Sequence, residues 1–505
     1  MNRRLLIYIS VFLGSLAISL DFASIDLALS PLEKQFGLDL DGVQWVLNGY
    51  MLAFAVLMVT GGQLADSYGR RRIFLLGMIV FGAASLLGGA AWSGWSLIAS
   101  RVLQGVGAAM LWPAMIGLAC AAVGESNRGF AMGLVLGTCS IGNAAGPVMG
   151  GILTEEFSWR WVLWVNVPMA LIAVAFTLWG VPRDPPPGTR PKNDFAGMGA
   201  LTGGLVALMV AVYQSSVWGW GSVRIVGLLA VAAVLLGLFP VIEARVANPL
   251  VPPDLLRHRE LRALVLAAMG ICQLFFIVLL YFTQFALKFL GDSPMWAGAR
   301  VVPFMLSYGV VSYLGGPLYA RFGARRLLVG GLVCAAVASA LLAVVGPGTS
   351  KLVGFSLQGL LGVGVGAVIP TISTRAVENA GVARASLVGG IVFMVQLSGA
   401  ALLLAIGTAL FADASHARLG QEVAAAQLQL SPAQQDRAER VLTGAKLDTA
   451  KALAQLPGGN ADKVVAVVQD AYGYGVRLML WMSTILVLGT LWLVLQNVPA
   501  RPHPG

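Results

Sequence analysis

Residues 62–72 read Gly62-Gln63-Leu64-Ala65-Asp66-Ser67-Tyr68-Gly69-Arg70-Arg71-Arg72, and residues 316–326 read Gly316-Pro317-Leu318-Tyr319-Ala320-Arg321-Phe322-Gly323-Ala324-Arg325-Arg326. The second string lies 316 − 62 = 254 positions after the first. Leu103-Gln104-Gly105 and Leu357-Gln358-Gly359 repeat that spacing, 358 − 104 = 254. Two separate matches at one offset indicate a duplicated unit. The copies also differ. Ala320 stands where the first copy has Asp66, and Phe355 where it has Arg101.

Both strings close apolar runs, and the whole chain is apolar. It has 505 residues, 58% hydrophobic and 11% charged, against about 25% charged in a soluble domain. This excludes a water-soluble globular protein. A membrane crossing needs about 20 apolar residues. The runs give fourteen expected spans: 5–30, 45–64, 73–92, 97–119, 129–153, 159–180, 195–214, 224–242, 261–289, 295–319, 327–346, 351–373, 385–412 and 474–495. The fold class is an all-α integral membrane protein. The 254-residue offset covers eight spans, so spans 7 and 8 read as a pair inserted between two six-helix units. The expected divisions are 1–193, 194–243 and 244–505, the halves being related by an axis along the membrane normal. Residues 181–193 read as a Pro-rich linker. Residues 413–473 read as a long outer loop with short amphipathic helices, Ser431-Pro432 opening one of them and 456–460 a turn.

Charge sets the orientation. Lys+Arg number 33 and Asp+Glu 23, a net +10. The cations fall in the short breaks between spans, among them Arg70, Arg71, Arg72, Arg128, Arg183, Arg245, Arg257, Arg321, Arg325, Arg326 and Arg384. This is the positive-inside pattern, with both termini in the cytoplasm, and not a nucleic-acid surface. Cys120, Cys139, Cys272 and Cys334 are scattered, with neither disulfide nor zinc spacing. The first run is too long for a signal peptide, contains Asp21 and Asp26, and has no cleavage signal, so it reads as a retained span.

A charge at mid-membrane costs at least about 2.5–3.5 kcal/mol and marks function by default. Asp21 and Asp26 in span 1 and Arg101 in span 4 qualify. The two acids are five positions apart, about 140° around an ideal helix, so they do not face one cavity squarely. Asp21 is deeper and is the preferred proton carrier. Asp26 either lines an outer vestibule or is simply wet. A dry carboxyl favours its protonated form, and a nearby guanidinium favours the ionised one. A motion that changes the Asp–Arg distance couples proton occupancy to conformation; the alternative is a fixed structural pair. The three histidines, His258, His416 and His503, fall outside the spans, which leaves carboxylates as the switchable groups. Span 5 holds Gly142-Asn143-Ala144-Ala145-Gly146-Pro147-Val148-Met149-Gly150-Gly151. Its small residues admit a neighbouring helix closely, and Pro147 is expected to kink it. Asn48, Tyr50, Trp112, Asn143, Gln273, Tyr281, Gln284, Tyr308 and Gln396 are candidates for a cavity between the halves, suited to amphiphilic or cationic organic molecules. Each alone also fits helix packing. No metal-ligand cluster, nucleophile–base set or phosphate-binding loop stands out, so an enzyme or an ATP-driven pump is not expected.

Together these strings resemble the major facilitator superfamily, and within it the fourteen-span drug:proton antiporter branch. Gly62–Arg72 is similar to the family's loop between spans 2 and 3, and Arg101-x-x-Gln104-Gly105-x-Gly107 to its span 4 motif. Gly142–Gly151 is similar to its antiporter motif, Leu20-Asp21 with Ile25-Asp26-Leu27-Ala28-Leu29 to its span 1 motif, and Trp159-Arg160-Trp161 with Asn166-Val167-Pro168 to its span 6 signature. The resemblance implies a cytoplasmic gate at Asp66, Gly69, Arg70 and Arg71 that stabilises the outward-open state. It implies proton coupling through Asp21 and Arg101. It also implies a hinge and seal at Gly142, Gly146, Pro147, Gly150 and Gly151. Asp26 stands where the motif usually has Asn, which adds a titratable group or favours cationic cargo. The second gate copy lacks its acid, so the gates are not equivalent.

The implied function is proton-coupled efflux, by alternating access, of hydrophobic or amphiphilic compounds, a multidrug and antibiotic-resistance activity. The alternative is export of one endogenous metabolite, such as a siderophore, lipid-like molecule or sugar. The proton gradient is the energy source and no cofactor is needed. The expected partners are a small-molecule substrate and the lipid bilayer, with no nucleic acid. The chain is expected in the bacterial inner membrane as a monomer, alone or with an outer-membrane export partner.

Overall fold

The computed structural model describes residues 3–38, 40–123, 128–183, 194–246, 249–251, 257–282, 285–286, 289–290, 294–346, 348–425 and 461–499. Within the bilayer each backbone N–H and C=O needs an internal partner, and an apolar chain meets that need by forming helices. The first half contains α1 (Arg3–Ser24), α2 (Leu29–Phe36), α3 (Leu40–Tyr68), α4 (Arg70–Gly89), α5 (Gly94–Val123), α6 (Arg128–Ile152), α7 (Trp159–Trp164) and α8 (Asn166–Gly180). Then come α9 (Phe195–Trp218) and α10 (Val223–Glu243). The second half contains α11 (Arg259–Ile277), α12 (Pro294–Tyr313), α13 (Gly315–Leu342), α14 (Lys351–Ala380), α15 (Ala385–Ala425) and α16 (Ala461–Asn497).

The duplication read from sequence is visible in the backbone. Gly69 and Gly323, 254 positions apart, both adopt positive φ, 107° and 76°. Gly69 separates α3 from α4 and Gly323 kinks α13, each at a conformation that an L side chain rarely adopts. The packing repeats as well: α3–α5 and α4–α5 in one half correspond to α12–α14 and α13–α14 in the other, and α1–α6 corresponds to α11–α15. Arg71 donates to the Leu178 carbonyl at 3.0 Å, and Arg325, its counterpart, donates to the Leu495 carbonyl at 2.9 Å. Each arginine ties its loop to the C-terminal end of its own half's last helix, where the helix dipole favours a cation.

The halves meet chiefly through α3 on α15 and α6 on α12. Helix α9 lies against both α3 and α15, with α10 packed on α9 and turned outward. After α10, Glu243 accepts from the backbone N–H of Leu250 at 3.2 Å and Val251 at 2.9 Å, which anchors the chain leading to α11.

The boundaries depart from expectation in four places. Thirteen helices among the described residues are long and apolar enough to cross a membrane. The expected tenth span falls outside that set. It is helical as α12, but it breaks at Leu314 and carries Arg300 and Pro303, which lower its apolarity. The α-helix of span 1 ends at Ser24, and Asp26 sits in a 3-10 turn, Ile25–Ala28, so the ideal-helix angle between Asp21 and Asp26 does not apply. Helix α6 passes into a π turn at Leu153–Phe157, beyond the expected end of span 5 at 153. The outer loop is shorter than 413–473, because α15 continues to Ala425 and α16 begins at Ala461. The expected loop helices near 431 and 456–460 lie outside the described residues, as does most of the linker.

Candidate functional site

A buried polar cluster joins α1, α4, α5 and α8. Asp21 is fully buried and accepts three hydrogen bonds. Arg101 Nη1 reaches Oδ2 at 2.6 Å, while Gln104 Nε2 and Asn166 Nδ2 both reach Oδ1 at 2.8 Å. Arg101 also donates to Gln104 Oε1 at 2.5 Å and to the Val46 carbonyl at 3.1 Å. Gln104 donates further to Ser85 Oγ at 2.8 Å. Arg101 and Gln104 share a face because they are three apart on a helix. A dry ion pair survives only when its remaining polar atoms also find partners, and the amides of Gln104 and Asn166 supply them. The Arg101 guanidinium carbon lies 4.4 Å from the centre of the Tyr50 ring. Asp26 takes part in none of these hydrogen bonds and is exposed, but it lies within electrostatic reach of Arg101.

A second cluster ties the halves together at the arginine-rich face. Arg70 donates Nε and Nη2 to Asp66 Oδ1 at 3.1 and 3.0 Å. The other carboxylate oxygen of Asp66 accepts the backbone N–H of Leu387 at 2.9 Å, across to the first turn of α15. Arg70 further reaches the Gly117 carbonyl at 3.2 Å and the Ala383 carbonyl at 3.5 Å. An acid against unpaired N–H groups at a helix start is favoured by the dipole as well. The contact is dense: a Cβ on Gly62 would meet the Ser386 carbonyl oxygen at 2.7 Å, and one on Gly390 the Met58 carbonyl oxygen at 2.7 Å. Gly69 supplies the turn that places Arg70, whereas Arg71 bonds within its own half.

The glycines of span 5 seat α6 on α1 beside Asp21. A Cβ on Gly142 would meet Ser19 Oγ at 2.3 Å, on Gly146 the Ala23 Cβ at 2.4 Å, and on Gly150 the Ser24 carbonyl oxygen at 2.5 Å. Gly151 is looser, with Leu27 Cδ1 at 3.4 Å. The Pro147 side chain lies outside the described residues.

Between the halves lies a cleft of about 100 Å³. Of the nine expected lining residues, Tyr50, Trp112, Asn143, Tyr308 and Gln396 line it. Gln273 is fully buried next to the lining Cys272. Asn48 is not in the wall, Tyr281 bonds Thr408 at 2.6 Å instead, and Gln284 lies outside the described residues. Part of the wall follows the duplication. Ile18 and Cys272, Phe22 and Phe276, Phe54 and Tyr308, Cys139 and Phe393, and Asn143 and Leu397 are five lining pairs, each separated by 254 residues. The offset visible in the motifs was therefore the signal that would have found Phe276, Phe393 and Leu397 from their partners. Asn166 and Gln104 lay inside quoted motifs, yet nothing in their type marked them as partners of Asp21.

The sequence profile of the Major Facilitator Superfamily matches residues 11–404. A puromycin resistance protein of Streptomyces alboniger is 35% identical over 78% of this chain and 79% of its own length. The multidrug resistance protein Stp of Mycobacterium tuberculosis is 33% identical over 80% and 76%. The tetracenomycin C resistance and export protein of Streptomyces glaucescens is 29% identical over 98% and 91%. Among solved structures, the human organic anion transporter MFSD10 superposes with a TM-score of 0.61 at 14% identity, covering 97% of this chain and 98% of that one. The Escherichia coli fucose:proton symporter FucP gives 0.54 at 15% identity, covering 95% and 98%.

Proposed function

The chain belongs to the Major Facilitator Superfamily and is a multi-pass membrane transporter, and from that premise we propose that it is a proton-coupled exporter of hydrophobic or amphiphilic organic compounds. It works as a monomer in a bacterial cytoplasmic membrane, with the arginine-rich face inward, and draws on the proton gradient without a bound cofactor. Relatives named for drug and antibiotic resistance or export support the direction of transport. The observation that carries the coupling is the Asp21–Arg101 pair, which is dry and touches the cleft wall through the Tyr50 ring.

Protonating Asp21 removes the anion that holds Arg101 at 2.6 Å. The guanidinium then relaxes toward its other contacts, and the Tyr50 ring beneath it shifts with it. Cargo pressing on Tyr50 and a proton on Asp21 thus compete through one side chain, which is the requirement for exchange. The halves part and close across the cleft, with Asp66, Arg70 and the start of α15 forming the inner closure. Proteoliposomes with an imposed pH gradient test this. Asp21→Asn should abolish gradient-driven cargo movement while gradient-independent exchange persists. Uphill movement that survives in Asp21→Asn, or after a protonophore collapses the gradient, overturns the reading.

A further inference from the structure

The cleft wall is rich in aromatic rings, and none of its described lining residues carries a formal charge. Trp112 from the first half and Phe393 from the second nearly stack, with centroids 4.1 Å apart and planes at 35°. Phe54 closes on both, at 6.2 and 5.9 Å. Beside these rings sit polar atoms without a partner: Tyr50 Oη, Trp112 Nε1, Gln396 Nε2 and Asn143 Oδ1. Tyr50, Trp112 and Gln396 are at most 2% exposed. Buried polar atoms are normally hydrogen-bonded, so a wall that leaves three hydrogen-bond donors open is built to meet acceptors on something that enters.

Charge and shape narrow what enters. The carboxylate behind Tyr50, Asp21, is saturated by Arg101, Gln104 and Asn166. A cation in the cleft meets no carboxylate in its described wall, and desolvating it is costly. The cleft, at about 100 Å³, is smaller than the roughly 300–1,000 Å³ of a site for a drug-sized ligand. Trp112 and Phe393 belong to opposite halves, so parting the halves also parts these two rings. Separating them by about one ring thickness, roughly 3.5 Å, creates a slot for a flat molecule rather than a globular one.

We propose that the preferred cargo is an uncharged, flat, fused-ring aromatic compound bearing carbonyl acceptors, held between Trp112 and Phe393 with its oxygens on the Tyr50, Trp112 and Gln396 donors. This deepens the exporter reading and rests on it. It differs from the cationic cargo that Asp26 would favour, an acid that is not among the residues lining the cleft.

Two probes share a ring system and differ in charge: acridone, an uncharged ketone, and N-methylacridinium, a fixed cation. Their equilibrium binding to the purified full-length chain in detergent is read by fluorescence anisotropy, and their export is read separately in cells lacking their own pumps. Acridone should bind at least about tenfold more tightly than N-methylacridinium. Trp112→Leu and Gln396→Leu should each weaken acridone about five- to tenfold, the scale of one ring contact or one buried hydrogen bond, and Gln396→Leu should leave N-methylacridinium, which carries no carbonyl acceptor, unchanged. If Trp112→Leu does not give a monodisperse protein, Trp112→Phe keeps the ring and removes only the N–H, and should weaken acridone alone. Equal or tighter binding of N-methylacridinium, or acridone affinity untouched by the Trp112 and Gln396 variants, overturns the proposal even when export is intact. Acridone binding with the predicted selectivity but no export of any compound upholds the ligand class and overturns the exporter reading instead.

Discussion

At the scale of single residues, Asp21 is held by three donors and Arg101 by three acceptors. Removing one charge strands the other. Asp21→Asn should therefore lower stability by about 3–5 kcal/mol, the usual cost of leaving a buried charge unpaired. Asp21→Asn/Arg101→Met should regain most of that loss and still fail to couple. Thermal unfolding in detergent checks both, and a double variant no more stable than the single one removes the pair from the account. The two charged members were legible because ionisable groups inside an apolar run are conspicuous. Asn166 and Gln104 were not, because an amide in a helix has many ordinary uses and only three dimensions show which carboxylate it meets.

Among the elements, α6 on α1 shows how much spacing alone conveys. Glycines four apart predict a close helix pair, and Gly142, Gly146 and Gly150 each lie within a bond length or two of clashing with α1. Gly146→Ala should push the helices apart at a cost of about 1–3 kcal/mol and depress export severely. Gly151→Ala, with ordinary contact at 3.4 Å, should be close to silent. Transport assays at matched expression separate the two, and equal effects would mean the close approach is not what the motif provides. Helix ends were less legible. The ends of α15 and α16 outside the apolar core read as loop because hydropathy stops there. Yet Ala-rich sequence continues a helix, and Arg418 pairs with Asp470 at 3.0 Å to join the two extensions.

For the whole molecule, the closure at the arginine-rich face rests on contacts too tight for a side chain. Gly62→Ala places a methyl 2.7 Å from a backbone oxygen of α15, so it should prise the halves apart on that side. Cys139 and Cys272 already line the cleft and report the event. In inverted vesicles, a membrane-impermeant maleimide should label them several-fold faster in Gly62→Ala than in the unaltered chain. An unchanged labelling rate would place the closure elsewhere. The twofold plan was readable from 62–72 and 316–326, and it reaches down to the five lining pairs. The asymmetry was readable as well, since Ala320 cannot do what Asp66 does.

Helix α15 is unbroken over 41 residues, about 62 Å at 1.5 Å per residue. Its first turn is pinned by Asp66, its first third carries Phe393 and Gln396, and its far end is braced to α16 through Arg418. One lever thus runs from the inner latch past the cargo to the opposite surface. Pivoting by about ten degrees at Leu387 would sweep its distant tip by about 10 Å, given that length. Undoing a single carboxylate's grip on one amide would in this way become a large stroke on the far side of the membrane.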